Sequence, residues 1–183
     1  MIGRSTVLRL AGACSLLALG GCVGAVTEGA NIAKDKAVIA SNMDAARAGN
    51  AEAQYKVGDA FCCSVTEGEG FYDTPRAVAW LCRAAAQNYG PAAARLGEIY
   101  AGDVVSGARV LRRVGQKVAG TSTNKAIAYG WSARATSLGV ADARKEADKL
   151  WSKMSAVEQA EAQAIVAGRK PLPCEWETVI GRS

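Results

Sequence analysis

The chain reads as an all-α protein, an array of helical hairpins, on three observations. The first is an internal repeat. Gly49, Ala53, Val57, Gly58 and Phe61 recur 39 residues later as Asn88, Ala92, Leu96, Gly97 and Tyr100. A further 51 residues on stand Gly139, Ala143, Ala147, Asp148 and Trp151. The second is a companion set with that same last offset: Ala77, Trp80, Arg83 and Ala84 recur as Ala128, Trp131, Arg134 and Ala135. Self-similarity at this period marks stacked supersecondary units, each too small to bury its apolar face alone. The third is the absence of any alternating strand pattern between the helical stretches.

Residues 23–30 are small and polar and read as a tether. A helical pattern over 31–47 carries Ile32, Ala37, Ile39, Ala40 and Met43, a cap for the first hairpin. Further helices are expected near 51–62, 75–88, 91–101, 124–138, 140–152 and 156–167. Ala53 and Val57, like Ala92 and Leu96, are four apart and share a helix face. Gly58 and Gly97 sit inside helical patterns, where glycine costs about 1 kcal/mol against alanine. Their recurrence in register points to close helix crossing. Pro75 suits a first helical turn, with Asp73 or Thr74 as cap. The spacing places both Trp80 and Trp131 at repeated packing positions, and a core Trp80 predicts a loss of about 3–5 kcal/mol on truncation to alanine. After Gly168, Pro171 and Pro173 keep the tail extended.

The run Gly49-Asn50-Ala51-Glu52-Ala53-Gln54-Tyr55-Lys56-Val57-Gly58 resembles the start of a Sel1-like repeat, and Arg76 to Ala85 resembles its second helix. Ala128-Tyr129-Gly130-Trp131 through Gly139, followed by Met154 to Gln159, is similar to the terminal repeat and closing helix of bacterial members. The resemblance covers roughly residues 41–168. It implies an α/α superhelix related to tetratricopeptide repeats, used mainly for protein–protein contacts. The chain departs from the family in its loops. Cys62 to Gly70 replaces the usual glycine turn of the first hairpin. The second hairpin is longer than the first between its helices, which places an insertion there.

The amino terminus is a targeting segment. Arg4 and Arg9 form a positive region, and Leu10 to Leu19 is uncharged, apolar and too short to span a bilayer. It ends Leu19-Gly20-Gly21-Cys22, which resembles the bacterial lipobox. That resemblance implies cleavage before Cys22, lipidation of Cys22, and a flexible lipidated N-terminus. Val23 stands where inner-membrane retention asks for Asp, so the outer membrane, facing the periplasm, is expected. The organisation is then a signal peptide over 1–21, a tether and start of the capping helix over 22–40, the repeat array over 41–168 and a proline-containing tail over 169–183.

Net charge is +5 over the whole chain and falls to +3 once Arg4 and Arg9 leave with the signal. That is too mild to argue for nucleic acid. Export favours disulfides, and Cys62, Cys63, Cys82 and Cys174 remain in the mature chain. Four cysteines allow three connectivities. Setting aside a bond between adjacent residues leaves two, each joining Cys82 to Cys62 or Cys63 and Cys174 to the other. The Cys174 bridge would pin the tail onto the array. Buried free thiols are the alternative.

Enzymatic roles are disfavoured because the chain has no histidine. That removes Ser-His and Cys-His nucleophile activation and histidine metal sites. A four-thiolate zinc site lacks Cys-x-x-Cys pairs, and Glu67 and Glu69 read as a solvated turn. No cofactor, metal or small-molecule substrate is expected. Arg109, Arg112, Arg113 and Lys117 lie within residues 104–118, which hold no acid. They form a candidate contact for an anionic partner. The expected function is a lipid-anchored periplasmic scaffold or adaptor for an envelope protein. An inhibitor or immunity-type protein blocking an exported enzyme, such as a cell-wall hydrolase, fits the same fold.

Overall fold

The computed structural model describes residues 29–63, 71–102 and 124–176. Seven helices and no strand occupy them. They are α1 over 29–47, α2 Ala51–Phe61, α3 Thr74–Ala86, α4 Gly90–Ala101, α5 Lys125–Ser137, α6 Ala141–Trp151 and α7 Ala156–Val166. Every described boundary falls within two residues of the span expected from the sequence. The chain divides into two units, Met1–Lys34 and Asp35–Ser183. In the first, only the helical residues 29–34 are described. The second holds the rest of α1 and the other six helices.

Two hairpins form the centre of this second unit, and the same contacts build both. In the first, Phe61 O accepts from the Asp73 N–H at 2.9 Å, Gly58 faces Ala77 and Leu81, and Gln87 Nε2 donates to Gln54 Oε1 at 2.8 Å. That progression makes α2 and α3 antiparallel. In the second, Tyr100 O accepts from the Asn124 N–H at 2.9 Å and Gly97 faces Ala128 and Ser132. Each partner in the second hairpin lies one repeat offset beyond its counterpart in the first. Asp73 and Asn124 also cap α3 and α5, accepting from the N–H groups of Arg76 and Ile127 at 2.9 and 3.0 Å. Asn50 caps α2 in the same way.

The leading position of the repeat is where helices stop. Gly49, Asn88 and Gly139 have φ of 96, 62 and 87°, the left-handed region that glycine and asparagine enter most readily. The next N–H then reaches back to close each end: Asn50 to Ala45 O, Tyr89 to Ala84 O and Val140 to Ala135 O, at 3.0–3.2 Å.

The interior glycines are where helices cross. A Cβ on Gly58 would stand 2.8 Å from Leu81 Cγ and 3.0 Å from Ala77 O. One on Gly97 would meet Ser132 Oγ at 2.6 Å and Ala128 O at 3.4 Å. Alanine ordinarily gains about 1 kcal/mol over glycine in a helix. Overpacking a tight contact costs about 1–3 kcal/mol. Gly58→Ala is therefore expected to lower stability, by about 1 kcal/mol net, in urea denaturation. A variant more stable than wild type would show that α2 and α3 part at no cost.

The third copy diverges for a structural reason. Asp148 replaces the glycine and is exposed. The closing helix α7 packs on α5 rather than along α6, so no helix crosses that position. A capping box starts α7: Glu158 N–H donates to Ser155 Oγ while the Glu158 carboxylate accepts from the Ser155 backbone N–H at 2.7 Å. These Ser155 bonds, with Lys125 at 3.2 Å, hold the Glu158 carboxyl below its usual range.

The core runs through all of these helices. Val57, Ala77, Leu81, Ala84, Ala92, Leu96, Ala128 and Ala135 are fully buried. The buried Gln54 joins three elements, because its Nε2 also donates to Ala46 O at the end of α1. Trp80 departs from expectation. It is only partly buried, with the Arg83 guanidinium 4.6 Å above its ring. Its counterpart Trp131 is 4% exposed, and its Nε1–H donates to Pro173 O at 3.2 Å.

That carbonyl belongs to the tail, which lies against the helices. Leu172 approaches Gly130, and Trp176, 4% exposed, lies against Tyr100 with ring centroids 5.4 Å apart. Burial raises the Tyr100 hydroxyl well above its usual range, and that hydroxyl has no hydrogen-bond partner among the described residues. The cysteines pair differently from either expected connectivity. Cys82 bonds to Cys174, with Cα atoms 5.7 Å apart, and Cys62 bonds to its neighbour Cys63 across a cis peptide. The physical reason is distance along α3. The Phe61–Asp73 hydrogen bond places Cys62 and Cys63 beside the first turn of α3. Cys82 lies eight residues beyond Thr74, about 12 Å up the helix at 1.5 Å per residue. Bonded cysteines need Cα atoms within about 7 Å.

Candidate functional site

The first helices of the successive units, α2, α4 and α6, are unevenly spaced. α2 touches α4, and one side chain ties them together. The partly exposed Arg95 on α4 places Nε 2.6 Å from Asp59 Oδ1 on α2 and donates from Nη1 to Glu98 Oε2 at 2.7 Å. The Asp59 contact is close but poorly aligned for a hydrogen bond, so it acts as an ion pair. Tyr55 and Tyr89 flank this bridge with ring centroids 5.5 Å apart. Burial first, and the nearby Asp59 second, raise the Tyr55 hydroxyl above its usual range.

Beyond Glu98 the helices separate. Between α4 and α6 lies a groove of about 120 Å³, floored by Ser132 of α5. One wall is Ala94, Gly97 and Ala101 of α4, the other Val140, Ala143 and Leu150 at and along α6. The sequence builds this shape locally. Gly97 and Ala94 keep the α4 wall low, and the turn at Gly139 directs α6 away from α5's own axis before Ala143 packs. The rim is acidic. Glu98, Asp142 and Glu146 line the groove, and among the described residues no lysine or arginine does. Lys145 and Lys149 pair with Asp142 and Glu146 at 3.2 and 3.1 Å but sit one turn on, exposed to solvent.

A second hollow, broader and shallower, lies between α5, α7 and the tail around Gly130, Ile165 and Leu172. Its cations are already engaged: Arg134 donates to Asn88 Oδ1 at 2.9 Å and Lys170 pairs with Glu161 at 3.1 Å.

Of the residues singled out from the sequence, Cys62, Cys63, Cys82 and Cys174 are placed, and each is held in a disulfide. Cys22, Glu67, Glu69, Arg109, Arg112, Arg113 and Lys117 lie outside the described residues. The groove residues carried only a faint sequence signal. Asp142 and Glu146 are four apart and share a helix face, but nothing in the sequence shows that this face looks toward Glu98. Among the described residues no group of acids or cysteines is arranged to hold a metal ion, and no helix is long and apolar enough to cross a membrane. No family model, curated protein or solved structure matches the chain.

Proposed function

We propose that this protein is a lipid-anchored scaffold or adaptor of the bacterial outer membrane, facing the periplasm. In this reading its Sel1-like hairpins form an α/α superhelix that holds an envelope protein in the groove between α4 and α6. The observation that carries the reading is the groove itself. It is apolar, rimmed by charge, and opens where the regular helix packing is interrupted. Such concave apolar sites with a few polar groups are where proteins take ligands. The lipobox resemblance at Cys22 supplies the anchor: a diacylglyceryl group with an added acyl chain gives stable membrane attachment, which a single chain does not.

The test is capture from envelope extract with three proteins: wild type, Cys22→Ser, and Ala94→Trp, which fills the groove from its half-exposed α4 wall. Wild type and Cys22→Ser are expected to retrieve the same partner, and Ala94→Trp to lose it with its helical circular dichroism intact. Mass spectrometry of the wild type is expected to show a diacylglyceryl-modified Cys22. Equal capture by Ala94→Trp would remove the groove from the reading. Replacing Arg109, Arg112 and Arg113 with serine then tests the basic segment as the contact. A captured soluble hydrolase would turn the reading toward inhibition, and an unmodified Cys22 thiol would remove the anchor.

A further inference from the structure

We infer that the Cys82–Cys174 bridge is a thiol-exchange site: a dithiol reductant attacks the Cys174 sulfur, opens the bridge and unfastens the tail from the helices. This goes beyond the adaptor reading and does not depend on it.

The point of attack follows from burial. Cys82 lies on α3 and is 8% exposed, whereas Cys174 is exposed. Exchange requires a thiolate to approach one sulfur in line with the bond, from the side away from the other sulfur. At Cys174 that side faces outward, because its partner is the inner one. At Cys82 it lies within the packed helices. The Cys62–Cys63 pair is a control in the same chain, since both of its residues are only 5% exposed.

The step balances with the dithiol as sole co-reactant. Its first thiolate bonds to Cys174 Sγ as the bond to Cys82 breaks, and the electron pair leaves on Cys82 Sγ. That sulfur lies 3.5 Å from Cys174 O, so once protonated it has an acceptor. The reductant's second thiol loses its proton and attacks its own first sulfur, and Cys174 leaves as a thiolate that takes up a proton. The reductant ends as a disulfide, and Cys82 and Cys174 end as thiols, reduced by two electrons.

The consequence follows from what the tail covers. Residues 171–175 form no helix or strand. They lie over α5 through Leu172 at Gly130 and Pro173 O at Trp131, while Trp176 lies on Tyr100. The crossings of α2 with α3 and of α4 with α5 are made without the tail. Beneath Trp176 the buried Tyr100 hydroxyl has no hydrogen-bond partner among the described residues. The closed tail carries that cost, and water removes it when the tail lifts. The bridge thus fastens a strap whose opening satisfies a buried group and spares the hairpins.

The experiment treats the purified mature protein in detergent with dithiothreitol, follows it in time, caps released thiols by alkylation and maps them by mass spectrometry. A parallel reaction with glutathione, a monothiol, marks the sulfur attacked. The expected result is a glutathione adduct on Cys174 with Cys82 capped as a free thiol, and opening of this bridge before Cys62–Cys63. Tryptophan emission is expected to shift to the red with the same time course, as Trp131 and Trp176 gain water, while helical circular dichroism persists. An adduct on Cys82, earlier opening of Cys62–Cys63, or untreated protein with Cys82 and Cys174 already free overturns the exchange site. Emission that stays constant after the bridge opens overturns the strap, and loss of the helical signal overturns it too by making the bridge a purely structural one.

Discussion

Trp131→Ala is expected to cost about 3–5 kcal/mol of stability, and Trp80→Ala about 1–2 kcal/mol, because its half-buried ring loses part of its packing on the core together with a cation–π contact. The two tryptophans occupy equivalent repeat positions, yet their surroundings differ. Trp131 is roofed by the tail, packs in the core and has its indole N–H satisfied by Pro173 O. Truncation there leaves a cavity and an orphaned carbonyl. Trp80 has Arg83 above it and solvent beyond. Urea denaturation of both variants measures the difference. Equal losses would mean that the tail does not cover Trp131 in solution.

Breaking the Cys82–Cys174 bridge is expected to have a comparable effect. It spans 92 residues of sequence. In the chain-entropy model, closing a loop of that length contributes about 4–5 kcal/mol. Cys174→Ser should therefore lower the midpoint of unfolding markedly. Replacing Cys62 and Cys63 together should do much less, since a bond between neighbours closes almost no loop. Fluorescence adds a local readout, because Trp176 is buried against Tyr100 and gains water contact once the tail detaches. A Cys174→Ser protein that unfolds like wild type would show that Leu172, Pro173 and Trp176 hold the tail without the covalent link. A larger loss from the Cys62/Cys63 variant would contradict the pairing itself.

The rim of the groove is separable from these determinants of stability, whereas Gly97, Ser132, Ala143 and Leu150 in its floor and walls are buried. Ala94, Glu98, Asp142 and Glu146 are half-buried or exposed. Substitutions there are expected to alter binding and leave the fold.

Helix spans were legible in the sequence because their signals are local. Asn50, Asp73, Asn124 and Ser155 cap with their own side chains, and Gly49, Asn88 and Gly139 end helices through backbone freedom alone. Crossing points were legible too. Only a residue without Cβ lets two backbones meet, and Gly58 and Gly97 recur at the repeat offset. Repetition made each signal count twice. What lay beyond reach was anything set by a third element. Whether a repeated tryptophan is core depends on what covers its helix, and the tail covers α5 at Trp131 and leaves Trp80 half open. Which cysteine meets Cys174 depends on height along α3, where eight residues of rise put Cys82 out of reach of Cys62 and Cys63. The make-up of the groove depends on α6 placing Asp142 and Glu146 opposite Glu98, and α7 packs on α5 instead of α6. Short-range chemistry decides where helices begin, end and touch their sequence neighbours. The arrangement of surfaces from distant parts of the chain comes from packing the whole unit at once, so it became visible only in three dimensions.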